Sequence, residues 1–113
     1  MEMIYAAIGL IAAAALGGIY LLSQVLRDKQ PPSAVPYIHG LLAVSGVIVL
    51  VVYSLKNPGP IGSLIVFGIA ATGGLVMLYK NITGEKIPKW LAVVHGFAAV
   101  IGFFLLLVFA YEK

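Results

Sequence analysis

The chain contains no cysteine. That excludes disulfides, thiolate metal sites, iron–sulfur clusters and covalent c-type haem attachment. Charge is nearly as scarce. Charged residues make up 10% of the 113 positions, where a soluble domain carries roughly a quarter. The acidic residues are Glu2, Asp28, Glu85 and Glu112, and none lies within a long apolar run. Carboxylate acid–base chemistry, structural zinc with four ligands and catalytic zinc with three therefore lack their residues in the apolar segments. No P-loop, dinucleotide fingerprint or Ser/His/Asp arrangement is present. Gly9, Gly17 and Gly18 are not a phosphate loop, because neither a strand nor a lysine accompanies them.

What is present is apolar. Such residues form 62% of the chain, and the mean hydropathy is +1.09. The charges sit in short segments between long apolar runs, the pattern of a polytopic membrane protein. The net charge of +3 then speaks to orientation in a lipid bilayer and not to nucleic acid. Four runs are long enough to span: 3–26, 34–55, 61–79 and 88–110. They lack the alternation of a spanning strand. The first is read as a span and not as a secretory signal. Met1-Glu2-Met3 supplies no basic n-region, and the apolar stretch is too long. Short connectors, including Asn57-Pro58-Gly59-Pro60, imply an all-α, up-down-up-down four-helix transmembrane bundle forming one integral membrane domain, 1–113.

Arg27, Lys29, Lys80, Lys86 and Lys89 fall on one side, and Lys56 and Lys113 on the other with both termini. This predicts cytoplasmic connectors within each half and outward termini, in a bacterial inner membrane. Tyr5, Tyr37, Trp90 and Tyr111 lie near span ends, where an interfacial aromatic belt belongs.

A shift of 56 residues brings thirteen identical positions into register. Ala14-Ala15 with Gly17-Gly18 meets Ala70-Ala71 with Gly73-Gly74. Pro32, His39-Gly40, Ala43-Val44 and Gly46 meet Pro88, His95-Gly96, Ala99-Val100 and Gly102. The chain thus reads as two tandem repeats, about 1–57 and 58–113. Each repeat has an even number of spans, so the pseudo-twofold axis runs along the membrane normal. His39, Ala43, Gly46 and Leu50 form one helical stripe, and His95, Ala99, Gly102 and Leu106 repeat it. The glycine pairs suit close helix–helix contact, or clearance for a flat macrocycle.

The repeat places the only two histidines at equivalent depths. An ionisable side chain within a membrane is a functional candidate. A rise of about 1.5 Å per residue puts the imidazoles on the order of 8 Å inside the span ends. By the same rise the glycine pairs lie on the order of 13 Å from that surface. Bis-histidine ligation of one haem b fits this placement. His39 and His95 are then the metal ligands. Gly17, Gly18, Gly73, Gly74, Gly40, Gly96, Ala43 and Ala99 line the cofactor, and Arg27, Lys29, Lys80, Lys86 and Lys89 neutralise the propionates. The alternative is a structural imidazole bonded to a backbone carbonyl or to Ser45.

The pair, its glycine-rich surroundings and the four-span layout resemble the small membrane-bound b-type cytochromes. That resemblance implies a four-helix bundle whose haem is held by histidines on facing helices. Larger members hold two haems with four histidines, so two histidines set a ceiling of one haem per chain. Single-electron transfer follows, with a quinol, a small oxidant or reductant, or a redox protein as partner. Small multidrug transporters share the length and span number, but they use an acidic residue in the first span, which this chain lacks. A small four-span transporter or a non-catalytic accessory subunit of a larger membrane complex stands as the alternative. A homodimer is compatible with the small-residue stripes, and the ligands then come from one chain or two.

Overall fold

A computed structural model describes residues 1–112. It is all-helical among those residues: α1 (Glu2–Leu26), α2 (Ala34–Lys56), α3 (Ile61–Ile82) and α4 (Lys89–Glu112). Prolines punctuate the chain. Pro31 and Pro32 lie between α1 and α2, Pro58 and Pro60 between α2 and α3, and Pro88 just ahead of α4. Pro36 falls in the first turn of α2, where its missing N–H breaks no helical bond. α3 runs to Ile82, beyond the expected end at 79, because no breaker occurs before Gly84. All four helices are long and apolar enough to cross a membrane. The long axis of 42 Å is close to the ~40–45 Å of a bilayer with its headgroups. Lys113, assigned above to the terminal side, lies outside the described residues.

The connector within each half begins with the same cap. Lys29 N donates to Gln24 O at 2.9 Å and Asp28 N to Val25 O at 3.1 Å. Glu85 N donates to Lys80 O at 2.8 Å and Gly84 N to Asn81 O at 3.4 Å. This double bond pattern needs a left-handed residue just past the helix. Gly84 adopts φ 77 without steric penalty, whereas Asp28 adopts φ 56 with a side chain.

Each helix packs on two others. α1 lies against α2 and α4, and α3 against α4 and α2. The α1–α3 and α2–α4 pairs are diagonal, with no close backbone approach. Ile4, Ala7, Ile11, Leu50, Tyr53, Phe67 and Leu106 form the buried core. Two glycines make room for it. A Cβ on Gly46 would lie 2.6 Å from Ile11 Cγ1, and one on Gly102 would lie 2.7 Å from Phe67 Cε1. Ser63, also buried, donates to the Gly102 carbonyl at 2.7 Å, so its hydroxyl is satisfied.

Candidate functional site

His39 lies in the second turn of α2 and His95 at the matching point of α4. His39 Nδ1 sits 2.7 Å from the Ala14 carbonyl of α1, and His95 Nδ1 sits 2.7 Å from the Ala70 carbonyl of α3. A carbonyl only accepts, so each Nδ1 carries the hydrogen and donates it. The lone pair is therefore on Nε2. Neither Nε2 has a hydrogen-bond partner, and neither is fully enclosed by protein.

The glycine pairs explain how the rings fit. A Cβ on Gly18 would come within 3.0 Å of His39 Cε1, and one on Gly74 within 3.2 Å of His95 Cε1. At Gly17 and Gly73 the same atom would meet the histidine Cβ at 3.6 and 3.8 Å, ordinary contact. The missing side chains on α1 and α3 thus admit the imidazoles of α2 and α4. The two rings, both part-buried, then meet across the α2–α4 diagonal. Their centroids are 6.2 Å apart and their planes stand at 78°.

The other sequence-derived candidates fall into two groups. Ala43, Ala99, Gly40 and Gly96 are half-buried on the histidine helices. A Cβ on Gly96 would touch Leu22 of α1 at 3.9 Å, whereas one on Gly40 would meet nothing within 4 Å. The basic residues gather at the connector end, three of them already paired. Lys89 reaches Asp28 at 3.1 Å, Lys86 reaches Asp28 at 3.5 Å, and Lys80 reaches Glu85 at 3.7 Å. Arg27 and Lys29 are exposed. The hydrogen bond and charge of Lys89, followed by the charge of Lys86, hold the Asp28 carboxyl below its ordinary value. Asp28 thereby clasps the first connector to the second.

Ser45 is not the imidazole partner; backbone carbonyls are. Tyr53 belongs to the apolar core, edge-on to Phe109 at 6.3 Å. Thr72 bonds back to Gly68 of its own helix. Sequence reasoning missed the carbonyls of Ala14 and Ala70 as acceptors. Their positions coincide under the 56-residue shift, but alanine carries no sign that its carbonyl is shared. No cluster of three or more His, Cys, Asp or Glu that could hold a metal ion occurs among the described residues.

No family model, no curated protein and no solved structure is similar to this chain.

Proposed function

We propose that this protein is an integral membrane b-type cytochrome, with His39 and His95 as the two axial ligands of one haem b. In this reading the chain is an up-down-up-down bundle of two tandem repeats. It sits in a bacterial inner membrane with its termini outside. The observation that carries the proposal is the facing pair of imidazoles, each with Nδ1–H tied to a carbonyl. Metal-bound histidines commonly donate their other N–H to a carbonyl, which fixes the tautomer and aims Nε2 at the metal.

The residues suit that role in three further respects. First, the 6.2 Å centroid separation is close to the ring-to-ring distance of two imidazoles that each bind one metal ion at about 2.0–2.1 Å. Second, the walls flanking this line are α1 and α3, which carry Gly17-Gly18 and Gly73-Gly74 there. Third, the surrounding half of the bundle is less fully buried than the terminal half. Across 15–45 and 71–101, Ala92 is the one fully buried residue.

Held by His39 and His95, a haem would supply one-electron redox chemistry. The chain's own contribution is to orient both imidazoles, exclude water and place basic groups at the nearer surface. The partner in this reading would be a quinol, a small redox agent or a redox protein meeting the connector face.

A purely structural reading uses the same two bonds to tie α2 to α1 and α4 to α3. It leaves both Nε2 lone pairs unused in an apolar bundle, which costs free energy. Visible spectroscopy separates the readings. Protein expressed with ample haem should show a Soret band and a sharp reduced α band. His39→Ala and His95→Ala should each abolish the low-spin species. A folded, colourless protein sinks the cytochrome proposal and favours an accessory subunit or transporter.

A further inference from the structure

We infer that, in the haem-free chain, the imidazole pair is a two-coordinate site for a single monovalent copper ion. The inference uses the imidazole pair and its surroundings and stands apart from the cytochrome reading.

The donor set selects the ion. Two neutral imidazole nitrogens are on offer, and no third His, Cys, Asp or Glu joins them. Zinc requires four ligands in a structural site and three protein ligands in a catalytic one. Calcium and magnesium require oxygen cages. Copper is well served by imidazole, and its monovalent closed-shell ion is stable with two donors in line. Their centroids lie 6.2 Å apart, close to the ring-to-ring distance expected when two imidazoles each reach one ion at about 2 Å.

Charge points the same way. The site lies inside a bundle of four membrane-length apolar helices, with every carboxylate near a helix end or in a connector. No carboxylate lies mid-span to offset a cation. The cost of desolvating an ion scales with the square of its charge, so a monovalent ion pays about a quarter of what a divalent one pays. The Nδ1–H bonds to Ala14 and Ala70 fix the tautomer that leaves the lone pair on each Nε2, and they add no charge.

The test is an anaerobic titration of the full chain, produced without haem and held in detergent micelles, with Cu(I) buffered by a chromogenic chelator. One Cu(I) per chain is expected, with X-ray absorption showing two nitrogen neighbours. His39→Ala and His95→Ala should each lose that stoichiometric copper while helicity by circular dichroism persists. If the variants do not fold, the absorption spectrum of the unaltered protein decides. A sulfur neighbour would assign the copper to Met1, Met3 or Met77 and overturn the inference, as would the absence of bound copper. Haem added first should block copper uptake if the cytochrome reading is right. A protein that binds copper but never haem sinks that reading and keeps this one.

Discussion

The two ends of the bundle are built on opposite plans. Toward the termini, Ile4, Leu50 and Leu106 are fully enclosed, and Gly46 and Gly102 give up their side chains so that Ile11 and Phe67 can pack. Toward the connectors, glycines again give up side chains, but what enters is an imidazole with a free nitrogen. One end spends its small residues on packing density, the other on admitting a chemically active group. Lipid is as apolar as leucine, so helix association there relies on packing and hydrogen bonds. The terminal end has the packing. The connector end relies on two imidazole–carbonyl bonds and the Asp28 clasp.

Substitutions can break that contrast or sharpen it. On the cytochrome proposal, the largest effect expected is outright loss of the low-spin haem spectrum in His39→Ala or His95→Ala, with the haem-free protein destabilised only by the loss of one imidazole–carbonyl bond, about 1 kcal/mol. Equal destabilisation by Leu50→Ala in denaturant would erase the distinction between the ends. Leu50→Ala and Leu106→Ala should instead destabilise the fold by about 2 kcal/mol, the low end of the usual range because lipid already solvates the chain. Their absorption spectra should stay intact.

Glycine replacements come next. Gly102→Ala forces a Cβ to 2.7 Å from the Phe67 ring and should cost about 1–3 kcal/mol in unfolding titrations. Gly68→Ala meets nothing within 4 Å and should gain up to about 1 kcal/mol from helix propensity. In the other half, Gly18→Ala should displace the imidazole and shift the haem spectrum, whereas Gly17→Ala, in ordinary contact at 3.6 Å, should leave it close to unchanged.

The smallest effect concerns the clasp. Asp28 is depressed below its ordinary value of 3.8 by Lys89 and Lys86. Its stabilising contribution is thus present above 3.8 and is lost as the pH falls through the lower folded-state value. Thermal melts should show this acid loss in the unaltered protein and not in Asp28→Asn, which keeps a residue tolerant of left-handed backbone. Identical acid profiles would remove the clasp from the account.

The helices were legible because length and apolarity suffice to mark a span, and prolines mark the gaps. Their ends drifted where no breaker stood, as at Ile82. The histidines were legible as candidates because they are the only two and coincide under the 56-residue shift. Their acceptors were not, since Ala14 and Ala70 contribute only backbone. The glycine spacing suits helix contact or a macrocycle, and the structure shows each glycine pair against the imidazole of its own half. Asp28 looked like an ordinary connector charge. Its pairing with Lys86 and Lys89 joins residues about sixty positions apart, beyond any local pattern.

The sequence by itself determined four apolar helices and two matched histidines, because hydropathy and spacing are properties of the chain alone. Only the tertiary structure decided which nitrogen carries the hydrogen, how far apart the rings stand and which end of the bundle is packed solid. Those depend on which helices become neighbours and on carbonyls that every residue owns alike. Close approach, not residue identity, selects among them.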